Sequence, residues 1–167
     1  MEVLIRPARE QDYEALCAII GEVDRLHRDN LPHRFQAAEG PARSKSFLVR
    51  RMGAPDIGLF VAETEGSLVG FIDVEIRHTP DVPIFVPRRY AIVDDIAVKA
   101  AYRRSGIGEA LMSEARAWAE AKGATSIELN VYAFNRGAIA FYRQLGYEVL
   151  SHRMVKRLAT NAQDQQR

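Results

Sequence analysis

Apolar and polar residues recur along this chain with two different periods, and the periods predict an alternation of helices and strands. Apolar residues return at helical spacing over about residues 12–26, and less regularly over about 35–52. A third helical stripe covers 106–122 and a short fourth covers 135–147. Asparagine, proline or glycine ends three of these stripes, as expected of helix ends.

Strands are predicted where apolar residues alternate with polar ones or form short β-branched runs. The predicted strands are residues 3–6, 57–63, 68–76, 90–98, 125–132 and 147–155. The second and third flank a turn around Gly66, which predicts an antiparallel hairpin. Because a helix separates the strands within 90–132, this unit predicts a parallel pair.

The order β-α-α-β-β-β-α-β-α-β predicts a single mixed α/β domain over residues 1–158. Residues 159–167 are polar and are expected to form a disordered tail. Residues 77–89 carry three prolines and predict a long irregular connection. Loops of this length are uncommon in compact domains, and those that occur more often have a function than not.

Composition narrows the classes of function. The 23 basic and 22 acidic residues leave a net charge of +1, which gives no reason to expect nucleic acid or an anionic membrane as partner. The single cysteine, Cys17, excludes an internal disulfide and a multi-thiolate metal site, and its apolar neighbours predict a core position. With no signal-peptide pattern and no apolar run of bilayer length, we expect a cytoplasmic protein.

The stretch "AYRRSGIGEALMSEARAW" (101–118) places two arginines and two glycines at the start of the third helix. Free N–H groups at a helix start bind anions, and the arginines add full charges. A nucleotide P-loop is excluded because Gly108 is followed by Glu109 and not by Lys. A dinucleotide fingerprint is excluded because Leu111 fills the place of its third glycine. An anion loop and a plain surface turn both remain compatible with this stretch alone.

Two motifs together make the chain resemble the GNAT superfamily of acetyl-CoA-dependent N-acetyltransferases. Residues 103–108, directly after a strand, fit that family's Arg/Gln-x-x-Gly-x-Gly/Ala pattern. The stretch "LNVYAFNRGAIAFYRQLGY" (129–147) is similar to its second motif. The resemblance runs from Val3 to about Lys156, and it implies a mostly antiparallel twisted sheet of about six or seven strands flanked by helices.

The resemblance also implies how acetyl-CoA binds, without a metal. The pyrophosphate would lie on the N–H groups of residues 104–109. The pantetheine arm would pair, like an added strand, with the backbone of Ile96, Ala97 and Val98, and it would accept or donate a hydrogen bond at Asn135. The implied donor-site residues are Ile96, Ala97, Val98, Arg103, Arg104, Ser105, Gly106, Ile107, Gly108, Glu109, Asn135 and Tyr142. A homodimer is common in this family, although no pattern in this sequence indicates one.

The chemistry that the resemblance implies needs a base and an acid, because an alkylamine with a pKa near about 10 is charged at neutral pH. Tyr142 is implied as the acid for the departing thiolate; its alternative is an aromatic core residue. Asp94 and Asp95 are candidate bases, and they face opposite sides unless a bulge intervenes. We choose Asp94, on the expectation that it shares a face with Ile92, Ile96 and Val98; its alternative is a structural carboxylate beside an arginine.

The acceptor is expected to be a small-molecule amine. Family members that acetylate protein N-termini often carry a glutamate where this chain has Asn130, so a protein acceptor is less expected. His27 and His33 lie on the expected acceptor side, but exposed polar positions explain them as well. The loop 77–89, with Phe85 among its residues, is expected to shape the acceptor pocket. A protein acetyltransferase and a non-catalytic acyl-CoA-binding module are the alternatives.

Overall fold

The computed structural model describes residues 2–158, and the expected tail at 159–167 lies outside them. The strands are β1 (Leu4–Pro7), β2 (Ile57–Thr64), β3 (Ser67–His78), β4 (Arg89–Val98) and β5 (Ile127–Leu129). The helices are α1 (Tyr13–Asn30), α2 (Lys45–Gly53), α3 (Ile107–Ala121) and α4 (Arg136–Gln144). The chain divides into two compact units, Met1–Phe134 and Asn135–Arg167.

The first unit contains a five-stranded sheet in the order β1-β2-β3-β4-β5. The pairs β1–β2, β2–β3 and β3–β4 are antiparallel, whereas β5 is parallel to β4. Both the predicted hairpin and the predicted parallel pair are therefore confirmed. The mixed, mostly antiparallel α/β fold class is confirmed as well, with five strands in the described residues where about six or seven were expected.

Helices cover both faces of this sheet. Helices α1 and α2 pack on one face, where Leu16, Ile19 and Leu48 join strand residues in a buried cluster that includes Val61 and Phe71. Helix α3 packs on the other face against β2, β3 and β4. There Trp118 lies edge-on to Phe60, with ring centroids 6.4 Å apart. Hydrophobic burial on both faces holds the long central strands in place.

The second predicted helix begins later than expected. Residues 35–44 are irregular, and α2 starts at Lys45, where the Ser44 side chain accepts a hydrogen bond from the Phe47 N–H at 3.2 Å. Gly40 has φ +91°, which together with Pro41 is incompatible with a continuous helix. Local backbone preferences therefore outweigh the weak apolar pattern of this segment.

Two predicted strands also differ from expectation. The segment 125–132 forms only the three-residue β5, and the predicted strand at 147–155 is absent from the structure as described to residue 158. Residues 148–158 are exposed and belong to no ladder. A segment with alternating side chains forms a strand only when a neighbouring strand supplies backbone hydrogen bonds. The alternating pattern does not report whether such a neighbour exists.

Gly70 marks a close approach between β3 and β4, and it generates a stability prediction. A Cβ at this position would lie 2.8 Å from the backbone oxygen of Ala97, which a strand in a packed sheet cannot easily move. We expect Gly70→Ala to destabilise the fold by about 1–3 kcal/mol in urea unfolding. Gly21→Ala is the control: it lies inside α1 with nothing within 4 Å, so it should be neutral or slightly stabilising. Equal stability of the two variants would contradict the prediction.

Candidate active site

The two parallel strands separate halfway along β4. Strand β5 pairs with β4 only from Ala91–Ile127 to Val93–Leu129, whereas β3 follows β4 as far as Val98. In the described chain, residues 94–98 therefore have no strand on the β5 side. The Lys99 N–H donates to the Val69 oxygen on the β3 side at 2.8 Å. Because peptide groups alternate along a strand, those of Ile96 and Val98 point to the open edge, and those of Ala97 point to β3.

The loop after β4 forms a concave cluster of backbone N–H groups. A short 3-10 turn at Ala100–Tyr102 leads to Arg104 and Gly106, which have φ values of +61° and +84° in the left-handed region. In the structure as described, none of the N–H groups of residues 104–109 donates to a backbone carbonyl. Successive free N–H groups in such a turn, at the start of α3, form an anion-binding nest.

Side chains anchor this loop to the sheet. The Arg103 Nε donates to the Val98 oxygen at 3.0 Å, and the Ser105 hydroxyl donates to the Tyr102 oxygen. Ile107 is 1 % exposed and fixes the first turn of α3 in the core, while Arg104 and Glu109 are exposed. The open edge of β4 and the N–H cluster thus follow one another directly along the chain.

A β-bulge brings both candidate carboxylates to the same face of the sheet. Asp73 pairs with Asp95, but its neighbour Val74 pairs with Val93, so Asp94 is the extra residue. Residues directly opposite in a ladder share a face, and Arg51 of α2 contacts both Asp73 and Asp94. All three carboxylates therefore face the α1–α2 side.

The expected grouping of Asp94 with Ile96 and Val98 is wrong. Ile96 is opposite Ile72, which is opposite Phe60 on the α3 face. By strand alternation Val98 shares the face of Ile96. The bulge shifts the alternation by one residue, so Asp94 leaves that face.

Asp94 belongs to a network of ion pairs. Arg51 binds Asp73 through two nitrogens at 2.5 and 2.7 Å and binds Asp94 at 2.9 Å. Arg77 adds a contact of 3.2 Å to Asp94. Burial raises the pKa of Asp94 and of Asp73, and the arginines partly offset this rise. The structure thus gives Asp94 the surroundings of a structural carboxylate.

Asp95 has different surroundings. It is partly buried, and within residues 2–158 it makes no hydrogen bond or ion pair. Burial raises its pKa to about 6, with smaller opposing effects of Arg43 and His27 and reinforcing effects of Asp24 and Asp73. A carboxylate with such a pKa is half ionised near pH 6 and mostly ionised at neutral pH, where it is suited to accept a proton.

Four aromatic side chains form a cluster that the sequence did not predict. His27 contacts Phe35, Tyr132 and Phe134, with ring centroids 5.3, 5.4 and 5.8 Å away. Its Nδ1 lies 3.0 Å from the Val23 oxygen, and because a carbonyl oxygen only accepts, this nitrogen is the donor. The cluster joins α1 to the segment that follows β5. From the sequence alone, an exposed polar position was expected for His27. The cluster could not be predicted, because its four rings are too far apart in the sequence to show a common period.

A cavity of about 380 Å³ lies between α1 and the irregular segment 35–43. Cys17 lines the cavity and is half-buried. It packs against the buried cluster, whereas the sequence predicted a position within the core. None of residues 77–89 lines this cavity. The tip of that loop is instead exposed, and Ile84 is 83 % accessible.

The second unit carries the other two candidate residues. Asn135 precedes α4, and its side-chain oxygen accepts a hydrogen bond from the Ala138 N–H at 3.1 Å, which caps the helix. The Tyr142 ring contacts Phe141 and Tyr147. None of the residues of α4 is fully buried. The roles of Asn135 and Tyr142 toward acetyl-CoA stay predictions.

Among residues 2–158, no group of three or more His, Cys, Asp or Glu side chains could hold a metal ion. In the same part of the chain, each helix is too short or too polar to cross a bilayer.

Comparison with known proteins defines the class. Residues 20–147 match the family model of the acetyltransferase (GNAT) family, so the chain belongs to the GNAT acetyltransferase family. An N-alpha-acetyltransferase of Sulfurisphaera tokodaii is 33 % identical over 159 residues, covering 90 % of this chain and 85 % of that protein. An uncharacterised N-acetyltransferase of Methanocaldococcus jannaschii is 36 % identical over 60 % of this chain, and the match spans only 46 % of that relative's length.

Solved structures agree on the fold. A tetramutant of the BH1408 protein from Bacillus halodurans superimposes with a TM-score of 0.88 at 25 % identity, covering 93 % of this chain and 99 % of that one. An aminoglycoside N-acetyltransferase in complex with CoA superimposes with a TM-score of 0.72 at 17 % identity, covering 95 % and 96 %. The second likeness concerns the fold alone.

The ion-pair network generates a stability prediction. Arg51→Met would leave the carboxylates of Asp73 and Asp94 without their shared partner, although their side chains are only 10 % and 32 % exposed. We expect a loss of about 2–4 kcal/mol near neutral pH. The loss should shrink as pH falls, because the variant raises the pKa of Asp73 further and the neutral carboxyl is cheaper to bury.

Arg77→Met is the matched control, since Arg77 is 42 % exposed and its ion pairs are near the surface. Its cost should stay below about 1 kcal/mol. Urea unfolding at several pH values measures both variants. A pH-independent cost for Arg51→Met would show that lost packing, and not charge, is responsible.

Proposed function

We propose that the protein transfers an acetyl group from acetyl-CoA to a primary amine of a small molecule, by direct attack within a ternary complex. The proposal assigns this activity to one acetyltransferase domain over residues 1–158. The observation that carries it is the open edge of β4, followed directly by free N–H groups at the start of α3 and flanked by the unpaired Asp95.

The donor half rests on complementarity. A pantetheine arm can bind as an added strand where Ile96 offers its N–H and oxygen, and Val98 its N–H, to the open edge. The N–H groups of residues 104–109 suit a pyrophosphate, and Arg104 adds a positive charge. Gly106 supports this geometry, since its φ of +84° is strained for any residue with a Cβ. Asn135 is proposed to add a hydrogen bond to the arm.

The chemistry divides among three groups of this chain. In the overall reaction, the amine nitrogen bonds to the thioester carbonyl carbon, the C–S bond breaks, and the products are an N-acetyl amine and free CoA thiol. Asp95 accepts the proton that the ammonium group loses, directly or through water. The Val98 N–H, at the open edge, stabilises the oxyanion. Tyr142 donates the proton that the departing thiolate takes, and the second proton that the nitrogen loses on becoming an amide restores Tyr142.

This assignment moves the base from Asp94 to Asp95. Asp94 is held by Arg51 and Arg77, which stabilise its ionised form and occupy its oxygens. No group within residues 2–158 binds the oxygens of Asp95, and burial raises its pKa to about 6. A base needs both a vacant lone pair and a pKa near the working pH.

A protein N-terminus is the second candidate acceptor. It is favoured by the N-alpha-acetyltransferase of Sulfurisphaera tokodaii, which matches over most of both chains. Against it, position 130 holds an asparagine, which cannot act as a base. The cavity beside α1, with a volume of about 380 Å³, also suits a small acceptor better than an extended chain.

The proposed function is tested with purified protein, acetyl-CoA and a panel of primary amines, by measuring CoA release and identifying the acetylated product by mass spectrometry. Tyr142→Phe keeps the ring and removes the proton, so kcat should fall about tenfold or more, with little change in acetyl-CoA binding. Acetyl-CoA binding with no turnover on any amine or peptide would instead indicate a non-catalytic module. Acetylated peptides without acetylated amines would indicate the second candidate.

The two aspartates are separated by their pH profiles. Asp95 must be ionised to act, so kcat/KM should rise as pH increases through about 6. Asp95→Asn should lower kcat/KM about 100-fold and remove this dependence. Asp94→Asn is the control, and it should cost less than about tenfold, since an amide still accepts hydrogen bonds from Arg51. The reverse result would identify Asp94 as the base.

A further inference from the structure

The cavity beside α1 has walls of mixed chemistry. Ile20 and Phe35 provide apolar surface, while Asp24, Arg28 and Arg43 provide charge. Asp24 and Arg28 lie one helical turn apart on α1 and share a face. The volume of about 380 Å³ is near the lower end of small-molecule sites, which suits a ligand of amino-acid size.

Charges in this cavity are unevenly paired. Asp24 and Arg43 form an ion pair of 3.7 Å within its wall. Arg28 is partly buried and, in the part of the chain that the structure describes, makes no hydrogen bond or ion pair. A guanidinium that has lost part of its hydration without a partner is suited to a carboxylate, which it binds with two parallel hydrogen bonds.

Asp95 provides the complementary unpaired charge. The charged groups that act on it are Asp24 and His27 of α1, Arg43 of the cavity wall, and Asp73 of the neighbouring strand. Asp95 is opposite Asp73, whose carboxylate binds Arg51 of α2, so Asp95 lies on the face of the sheet that α1 and α2 cover, beside the cavity and not in its lining. An unpaired cation and an unpaired anion therefore lie on the same side.

One kind of ligand satisfies both charges at once. We propose that the acceptor is a free amino acid, whose carboxylate binds Arg28 while its amino group faces Asp95. This inference rests on the proposed function and names its substrate class. Phe35, which lines the cavity and belongs to the aromatic cluster, offers an apolar wall for the side chain of the acceptor.

The test compares amines that differ only in the carboxylate. Phenylalanine, phenylalaninamide and phenethylamine are assayed by CoA release, and the free acid should have a kcat/KM at least about tenfold higher than the other two. Arg28→Gln should raise KM for phenylalanine about tenfold or more, and leave kcat/KM for the amide within about twofold. Arg28→Lys should restore part of the preference.

Arg25→Gln is the matched control, because Arg25 is an exposed arginine on the same helix that does not line the cavity. It should preserve the preference for the free acid. Equal rates with the amide, or an Arg28→Gln effect of equal size on acid and amide, would overturn the inference. Preference for peptides with a blocked carboxyl end would overturn it in favour of a protein acceptor.

A binding measurement separates this inference from the proposed function. Phenylalanine binding to the protein with CoA present is measured by calorimetry for the unaltered chain, Arg28→Gln and Arg25→Gln. Should no amine turn over, the proposed function fails, and binding lost only in Arg28→Gln still supports the amino-acid site. Turnover of amines with no binding of the free acid would leave the proposed function standing and overturn the inference.

Discussion

Strand β4 keeps β3 along its full length but loses β5 after Val93, and the candidate site depends on this separation. An unpaired peptide edge inside a sheet is costly unless a ligand, water or another chain satisfies it. The gap leaves the peptide groups of Ile96 and the N–H of Val98 available, while Arg103 binds the Val98 oxygen, and the chain continues into the N–H cluster before α3. Beyond β5, the diverging segment carries Tyr132 and Phe134 to the ring of His27 on α1.

The bulge at Asp94 is the second feature on which the candidate site depends. It turns two consecutive carboxylates to one face, where only one of them finds arginine partners. Arg51 binds Asp73 and Asp94 and does not bind Asp95. Without an arginine bound to it, Asp95 keeps the raised pKa that burial imposes. Identical side chains next to each other in sequence thus acquire different chemistry from their surroundings.

Much of this structure follows from local patterns, and the differences have local causes. The hairpin, the parallel unit and the stripe of α3 were predicted because burial on one or two faces imposes a period on the sequence. The predicted helix at 35–52 shortened because Gly40 and Ser44 dictate their own backbone geometry. The predicted strand at 147–155 did not form, because pairing depends on a neighbour that the pattern does not specify.

By itself, the sequence determined the class of protein. Two motifs and the order of elements predict the GNAT fold, because glycines at a helix start and periodic apolar residues act over a few positions. The tertiary structure decided which aspartate is unpaired, how His27 joins three other rings, and that Arg28 faces a cavity without a partner. These properties depend on contacts between residues far apart in the chain, and no spacing within one element encodes them.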